Sequence, residues 1–404
     1  MQAEAVGSQQ LLKGIHRMAL VRQLFAKPGL SRADLASTVG LTKSTVGLLV
    51  RELIAEGWLV EREIVATGDM GRRPTPLFID SRRLLLIGAE VGTESVRVLA
   101  TSLTGELRAC TDERYGSTRT AAACIDLLAA ALLKTLARLD ARQEVLGIGI
   151  GLPGGVDEAR GLLHFAPNLG WREVPFASLL TAKLAGSGLE AVPLYFQNEA
   201  AVAAVGEMEF NPVPACDPLL YVSIGQGLGA GVIVGERLLT GNRGFAGEVG
   251  HTVLQLGGPR CSCGREGCAE ALIAMPAMSG SLTQVRARLA AADAATLSAV
   301  TSAGLYLGIL LHNLSTAYDP GCIVLGGAVV ELGEPLLRPA LATLNDYATA
   351  AGLAPPNVRT ARFGADAVAL GAAALARYRL TRPALQLADG AVTPQDAMTN
   401  EEVL

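Results

Sequence analysis

Gly244-Phe-Ala-Gly-Glu-Val-Gly-His251, followed by Cys261-Ser-Cys-Gly-Arg-Glu-Gly-Cys268, is the most informative run of this 404-residue chain. Zinc in proteins favours four tetrahedral nitrogen and sulfur ligands, and one histidine with three cysteines is a common structural set. Glycines at 264 and 267 let a short loop wrap closely enough for three sulfurs to converge. We therefore predict a structural Zn²⁺ ion, which shapes a loop and has no open position for catalysis, on His251, Cys261, Cys263 and Cys268.

The bulk composition restricts the class of protein. Apolar residues make up 50% of the chain and charged residues 18%, which suits large buried cores and excludes a disordered chain. Three of the seven cysteines lie within eight residues, which favours a metal site in a reducing compartment over a disulfide framework. The polar start lacks a signal-peptide core, and no apolar run reaches the roughly 18 residues of a membrane span. We therefore expect a soluble, cytoplasmic protein with no membrane partner.

The first 60 residues predict a helix-turn-helix. Residues 11–22 follow a period near 3.6, Ser31 and Thr42 are placed to cap two further helices, and Gly40 marks a tight turn between them. Alternation from Trp58 to Val65 indicates a two-stranded wing. A short-looped bundle without DNA-binding activity is the alternative.

The early part of the third helix predicts contacts with double-stranded DNA, because the N-terminal part of a recognition helix usually lies in the major groove. The candidate residues carry short hydroxyls or positive charges: Arg32, Thr42, Lys43, Ser44 and Thr45. Beyond the wing, Arg72 and Arg73 precede Pro74, which favours an extended segment suited to the minor groove. A solvated linker is the alternative for these two arginines.

From Leu84 onward, strand-like apolar runs alternate with Ala- and Leu-rich helices, which predicts an α/β domain. Two segments resemble each other: one from Leu84 to Gly105 and one from Leu219 to Gly241. Both indicate a strand, a glycine turn, a second strand and another glycine turn. This internal repeat predicts two related lobes with a cleft between them.

The run from Gly244 to His251, followed by the cysteine run that ends at Glu270, closely resembles the signature of the ROK family (repressors, open reading frames and kinases). The N-terminal module and the Gly71-Arg-Arg-Pro74 linker resemble those of its branch of xylose and N-acetylglucosamine repressors. Further matching motifs are Gly151-Leu-Pro-Gly154, Pro167-Asn-Leu-Gly-Trp171, Gln197-Asn-Glu-Ala200 and Val324-Leu-Gly-Gly327. The resemblance implies an actin-like, two-lobed sugar-kinase fold of the Hsp70 type behind a winged helix-turn-helix. We divide the chain accordingly into a DNA-binding domain at 1–66, a linker at 67–83, a ROK domain at 84–384 and a polar tail at 385–404. Its lobes are expected at about 84–198 plus the C-terminal helix and at about 199–370.

The resemblance also implies a sugar pocket. Carried over by position, the residues that line it are Asn168, Asn198, Glu199, Glu248, His251 and Glu270. Carboxylates suit this task because they accept hydrogen bonds from neighbouring pairs of sugar hydroxyls. Solvated loop carboxylates are the alternative for the acidic residues.

Departures from the family's kinases favour a sensor over an enzyme. The resemblance implies Asp-x-Gly-Gly-Thr at the first phosphate hairpin, where this chain has Glu90-Val-Gly-Thr-Glu94, so a negative charge lies where polyphosphate would bind. Gln226 stands where threonine is usual in the second hairpin. Glu199 stands at the position of the kinase base, an aspartate, and we assign no catalytic residue.

Together these features predict a sugar-responsive repressor of carbohydrate metabolism that works as a homodimer or homotetramer on a DNA operator. Its effector would be a monosaccharide or a sugar phosphate. The alternatives are an ATP-dependent sugar kinase with an added DNA-binding domain, and a constitutive DNA-binding protein.

Overall fold

The computed structural model of the chain describes residues 9–62, 75–211 and 216–383. Its N-terminal module, here called the head, contains three helices and a two-stranded sheet. These elements are α1 (Gln9–Ala26), α2 (Arg32–Val39), α3 (Lys43–Ala55), β1 (Leu59–Glu61) and β2 (Leu77–Ile79). Arg72 and Arg73, and the predicted polar tail, lie outside the described residues.

Local hydrogen bonds set the helix boundaries of the head. Ser31 caps α2 in a capping box with Asp34, in which each residue's backbone N–H donates to the other's side chain. Thr42 caps α3 by accepting from the backbone N–H of Thr45 at 3.2 Å. Gly40 ends α2 in the left-handed conformation, with φ of 73°. The predicted turn and both predicted caps are therefore confirmed.

The wing differs from the prediction. Its strands are β1 and β2, paired antiparallel with Leu59 opposite Ile79, so the second strand comes from beyond Val65. It therefore falls within the range predicted as linker, 67–83. The reason is that a sheet partner is chosen by tertiary packing and not by alternation within one segment. The exact domain boundaries stay a prediction.

The remaining elements form the α/β part of the chain. Its strands are β3 (Leu84–Val91), β4 (Ser95–Ser102), β5 (Leu107–Arg114), β6 (Glu144–Leu152), β7 (Gly155–Asp157), β8 (Leu162–Ala166), β9 (Trp171–Val174), β10 (Leu194–Asn198), β11 (Leu219–Ile224), β12 (Leu228–Val234), β13 (Arg237–Leu238), β14 (Cys322–Gly326) and β15 (Val358–Thr360). Its helices are α4 (Ala121–Leu136), α5 (Phe176–Leu184), α6 (Glu199–Glu209), α7 (Ala269–Ile273), α8 (Leu282–Ala290), α9 (Ala294–Tyr318), α10 (Glu334–Ala350) and α11 (Ala367–Thr381).

Two five-stranded sheets with the same topology form the centres of two lobes. The first has the order β10-β6-β3-β4-β5 and the second, in the same sense, β15-β14-β11-β12-β13. In each sheet the three strands that come first form an antiparallel meander, and two later strands add in parallel. The predicted α/β fold with an internal repeat is confirmed. A smaller sheet, β7-β8-β9, extends the first lobe.

Two helices cross between the lobes. α6 follows the first sheet but packs on β11 and β12 of the second, whereas α11 follows the second sheet and packs on β3 and β6. Glycines permit the close approach: a Cβ on Gly149 would lie 1.8 Å from the carbonyl oxygen of Ala372, and one on Gly206 would lie 2.9 Å from the Cα of Gly371. The two helices therefore couple the lobes mechanically.

A buried ion cluster, here called the joint, connects the head to both crossing helices. The Arg377 guanidinium on α11 lies between two rings, 4.1 Å from the centroid of Phe25 on α1 and 4.6 Å from that of Phe210. Its Nε donates to Glu209 at 2.7 Å, and Arg382 donates to the same carboxylate at 2.6 Å. Arg22 of α1 also donates to the Thr381 carbonyl at 2.8 Å. The head is thus held on α11.

The second lobe contains a disulfide and a long apolar helix, neither of which was predicted from the sequence. Cys216 and Cys322 form a disulfide with a Cα–Cα distance of 5.7 Å, a pair that the sequence did not predict. α9 is long and apolar enough to cross a membrane by length and composition alone. It packs in the core of the second lobe through Val300, Leu307 and Leu311, as a core helix does.

Candidate functional site

The four predicted metal ligands converge. The ligand atoms of His251, Cys261, Cys263 and Cys268 all lie within 4.8 Å of one another. The Sγ atom of Cys263 is 3.8 Å from that of Cys268, and the Sγ atom of Cys261 is 3.6 Å from Nδ1 of His251. Tetrahedral bonds of about 2.3 Å to sulfur and about 2.0 Å to nitrogen imply ligand separations of roughly 3.5–3.8 Å. The cluster therefore fits a four-coordinate metal ion.

Backbone contacts hold the three cysteines in place. Cys261 donates its N–H to the Arg265 carbonyl at 2.8 Å, and Gly264 donates back to the Cys261 carbonyl at 2.9 Å. Gly267 has φ of 73°, and a Cβ there would lie 1.6 Å from the Gln255 carbonyl oxygen. The glycine positions in the motif are thus required by turn geometry and by close backbone packing.

His251 connects this cluster to the cleft. Its Nδ1 faces the sulfurs, and its Nε2 lies 3.7 Å from a carboxylate oxygen of Glu248. Burial lowers the pKa of His251, which favours the neutral ring that a metal ligand must be. Metal at Nδ1 would leave the proton on Nε2, so the ring would present a hydrogen-bond donor to the cleft.

Three carboxylates lie around the same region. Burial raises the pKa of Glu199 to about 7, with a further contribution from Glu270. Burial also raises the pKa of Glu248 to about 7, and both of the other carboxylates add to that effect. Glu270 is buried and accepts from the Leu228 N–H at 3.0 Å and the Ser262 hydroxyl at 3.1 Å. Such a cluster can accept hydrogen bonds from a polyhydroxylated ligand.

A cavity of about 570 Å³ opens beside these groups, a size typical of small-molecule sites. Two of the six predicted sugar-pocket residues, Glu248 and His251, line it together with Phe165, Pro167, Arg172, Arg243, Phe245, Thr252, Cys263 and Arg265. The sequence did not single out the two phenylalanines or the three arginines. They come from three separate segments, which only the folded chain brings together.

The other predicted pocket residues lie next to the second glycine hairpin. Asn198 caps α6 by accepting from the Ala200 N–H at 2.8 Å, and it donates to the Gly154 carbonyl at 2.9 Å. The side chains of Asn168 and Glu270 both approach Gly227, within 3.2 and 3.0 Å of where a Cβ would stand. These residues therefore flank the cleft between the lobes rather than line the cavity.

In both glycine hairpins, which correspond to the phosphate loops of the family's kinases, some backbone amides already donate hydrogen bonds within the protein. In the second hairpin, Gly225 donates to the Gly227 carbonyl at 2.8 Å, and Leu228 donates to Glu270. In the first, Gly92 donates to the Ser95 carbonyl at 2.9 Å, and Glu94 is exposed at the tip. These amides are thus not free to hold phosphate oxygens in this conformation.

The predicted DNA-binding residues are divided between local roles and free surface. The Thr42 hydroxyl is within hydrogen-bond distance of those of Ser44 and Thr45, at 2.9 and 2.8 Å, and Arg32 forms an ion pair with Glu61 of the wing. Lys43 is exposed on the first turn of α3. Leu48 and Arg51 of α3 are exposed as well, and neither was predicted as a DNA-binding residue.

Comparison with known proteins agrees with this architecture. Residues 86–379 match the model of the ROK family, and residues 15–60 match that of winged helix-turn-helix DNA-binding domains. The chain belongs to the ROK family. It is 30% identical to the xylose repressor of Bacillus subtilis over 338 residues, which cover 81% of this chain and 85% of that protein.

Both branches of the ROK family are represented among its relatives. A glucokinase of Halalkalibacterium halodurans is 32% identical over 255 residues, covering 57% of this chain and 76% of the relative. The crystal structure of a ROK family transcriptional regulator, a homolog of E. coli MLC protein, aligns with a TM-score of 0.75 and 21% identity. That alignment covers 94% of this chain and 99% of the regulator, so the whole fold, head included, is shared.

Because burial opposes the ionisation of Glu90 and Glu199, we predict that the free energy of unfolding falls as the pH rises from 6 to 8. Burial, and then the charge of Glu199, raise the pKa of Glu90 to about 8, and the pKa of Glu199 itself is about 7. The folded chain therefore favours the neutral acids, whereas the unfolded chain ionises them near pH 4.3. Their contribution is complete below that pH and is lost as pH rises through 7 and 8. We expect urea unfolding at pH 8 to give a free energy of unfolding about 3–4 kcal/mol lower than at pH 6.

The variant Glu90→Gln keeps the size and removes the titration, so it should reduce this pH dependence markedly. Glu94→Gln changes an exposed carboxylate of the same hairpin and should leave the dependence unchanged. Equal slopes for Glu90→Gln and the unmodified chain would rule out Glu90 as the source.

Proposed function

We propose that this ROK family protein is a sugar-responsive DNA-binding repressor of carbohydrate metabolism, in which the kinase-like domain has become a sensor. The observation that carries the proposal is that a DNA-binding head is joined to a kinase-like cleft in which the amides of Gly92, Gly225 and Leu228, on the phosphate side, are already hydrogen-bonded within the protein. The xylose repressor relatives and the winged helix-turn-helix match support the same reading. The protein would act in the cytoplasm as a homodimer or homotetramer.

A structural Zn²⁺ ion is proposed on His251 and the three cysteines. When bound, it supplies a fixed loop and a fixed histidine tautomer, with no open coordination position. The chain's own residues then do the recognition. His251 donates through Nε2, the carboxylates accept from hydroxyl groups, and Phe165 and Phe245 give apolar faces to the ring carbons. The effector would be a monosaccharide or a sugar phosphate.

The coupling of sugar to DNA is proposed to run through α11. Next to the cleft, the Asn198 N–H donates to Gln197 at 3.3 Å, and Gln197 donates to Glu158 at 2.9 Å. Arg379 of α11 donates to the same Glu158 carboxylate at 2.9 Å. Two residues further on, the Thr381 carbonyl accepts from Arg22 of the head. A sugar that changes the position of Asn198 would thereby shift the head between a state of high and a state of low DNA affinity. This requires that the sugar bind the two states with different affinities.

The residues proposed to contact DNA are those of α3 and its cap, together with Arg72 and Arg73 of the predicted linker. In a dimer, two heads would bind half-sites about 34–36 Å apart. The test is a gel-shift titration of the full-length protein on DNA from its own upstream region, with a panel of sugars and sugar phosphates. A sugar-dependent change in DNA affinity of about 5- to 150-fold is expected; no change with any of them would refute the sensor.

A sugar kinase with a DNA-binding head is the second candidate. The glycines retained at 225, 227, 326 and 327 favour it, as does the glucokinase relative. An assay of hexose-dependent ADP release distinguishes the two. Turnover of about 1–100 s⁻¹ is typical of kinases, and a rate in that range would establish the kinase, whereas we expect no turnover above background.

A further inference from the structure

We propose that one exposed face of α3 contacts base edges in the major groove of double-stranded DNA, with Leu48 against the methyl group of a thymine. This α3 reading face consists of Ser44, Gly47, Leu48 and Arg51. The inference rests on the DNA-binding function proposed above. It goes further by naming the residues that determine sequence preference and the base that one of them selects.

The spacing of these residues places them on a single side of the helix. Counted from Ser44, the other three lie three, four and seven positions further on, the separations that place residues on one side of an α-helix. The opposite side, with Val46, Leu49 and Leu53, is buried in the core of the head. Leu48 is 48% exposed although it lies in the middle of α3. The core therefore leaves this face available to a partner.

Gly47 is the second observation. Glycine inside a helix costs roughly 0.5–1 kcal/mol relative to alanine, and its φ here is not in the left-handed region. Apart from the neighbouring backbone of α3 itself, no heavy atom of the described chain lies within 4 Å of the position that its Cβ would occupy. Gly14 of α1 has equally open surroundings, but Gly47 lies between the exposed Lys43 and Arg51 on α3, where the close approach of a partner to the helix backbone gives a reason for glycine.

Charge identifies the partner as a polyanion. Three other basic residues of the head are neutralised in the ion pairs Lys13–Glu52, Arg17–Glu56 and Arg32–Glu61. Lys43 and Arg51 have no acidic partner among the described residues. They lie eight residues apart, which is about 12 Å along the helix and close to the major-groove width of about 12 Å. The uncompensated charges thus flank the apolar part of the face, as phosphate contacts on either side of a groove require.

Leucine restricts what the face can select. It offers no hydrogen bond, so it cannot read the donors and acceptors of the base edges. The C5-methyl group of thymine is the apolar feature that the major groove presents. A side chain that is half exposed on the free protein gains most by covering such a group. Leu48 therefore selects thymine.

A pair of glycine variants tests the close approach. Gly47→Ala and Gly14→Ala both place a methyl group on a helix where, apart from that helix's own backbone, no heavy atom of the described chain lies within 4 Å. Both should therefore raise the melting temperature. Only Gly47→Ala should weaken binding of the full-length protein to duplex DNA, by about tenfold at fixed salt. Unchanged DNA affinity for Gly47→Ala would overturn the proposed approach.

Removal of single methyl groups from the DNA tests the thymine contact. The probe is a duplex that the full-length protein itself enriches from a random library, with each thymine in turn replaced by uracil. We expect one position per half-site to lose about fourfold in affinity, the worth of one buried methylene group at about 0.8 kcal/mol. Leu48→Ala should bind more weakly and lose its sensitivity at that same position.

The outcomes separate this inference from the function on which it rests. If the protein enriches no duplex, the proposed DNA-binding function fails, and the inference with it. If it enriches a duplex but no uracil substitution matters, or Leu48→Ala keeps the same sensitivity, DNA binding stands and the assignment of Leu48 is refuted.

Discussion

Replacement of Cys263 by serine is expected to empty the metal site, lower the melting temperature and weaken sugar binding by about 10- to 100-fold. The Cys263 sulfur lies 3.8 Å from that of Cys268, and serine does not replace a thiolate as a zinc ligand. A metal that binds only the folded chain stabilises it by about 4 kcal/mol when present at a thousand times its dissociation constant. That contribution would be lost.

The effect on sugar binding follows from the position of His251. Without metal at Nδ1, the ring can turn and its proton can move to either nitrogen, so the donor facing Glu248 is no longer fixed. Metal content by atomic emission, melting temperature and calorimetric titration with sugars measure the three effects. About one zinc per chain is expected in the unmodified protein.

Cys110→Ser is the matched control for that experiment. Cys110 lies on β5 of the first lobe, is partly exposed and does not belong to the cluster. Its replacement should leave metal content and sugar affinity unchanged. A Cys263→Ser protein that retained a full complement of zinc would contradict the assignment of this cysteine as a ligand.

Replacement of Glu209 by alanine is expected to cost about 3–5 kcal/mol of unfolding free energy, because it leaves buried arginines without their counter-ion. Burial opposes ionisation of this carboxyl, but Arg377 and Arg382 outweigh it and hold the pKa of Glu209 below its ordinary value. Arg377 is itself buried between Phe25 and Phe210, with a further bond to the Leu103 carbonyl at 3.0 Å. It therefore has no route to water.

Glu236→Ala provides the matched control at the same joint. Glu236 contacts Arg382 at 3.4 Å, but its side chain is 71% exposed, and exposed pairs contribute about 0–1 kcal/mol. Urea unfolding with comparable m-values compares the two variants. A loss of less than about 1 kcal/mol for Glu209→Ala would mean that the arginines find other partners or water.

Elements with strong local signals were predictable from the sequence. The helix boundaries of the head follow from Ser31, Gly40 and Thr42, whose side chains or backbone freedom act within a few residues. The metal cluster was predictable for a related reason, since three of its ligands lie in one glycine-containing loop of eight residues. The repeated glycine hairpins likewise predicted the two similar sheets.

Other features depend on partners that are distant in the chain. The second strand of the wing lies beyond Val65, and the Cys216–Cys322 pair joins residues 106 positions apart. The basic and aromatic lining of the cavity comes from three segments whose motifs give no sign of it. The role of Leu48 and Arg51 also required the structure, because only helix packing reveals which side of α3 the core leaves exposed.

The local chemistry follows from the order of the amino acids alone: the caps, the glycine turns, the succession of strands and helices, and a ligand set confined largely to one loop. Those properties depend on atoms a few residues apart, so they can be read in order along the chain. Which groups lose contact with water, and which charges meet, depends instead on how distant segments pack. This packing buries Glu209 against Arg377 and Arg382, and it places the His251 ring between the Cys261 sulfur and the Glu248 carboxylate. It also leaves one side of α3 exposed to solvent. Burial and long-range electrostatics depend on segments that the fold alone brings together.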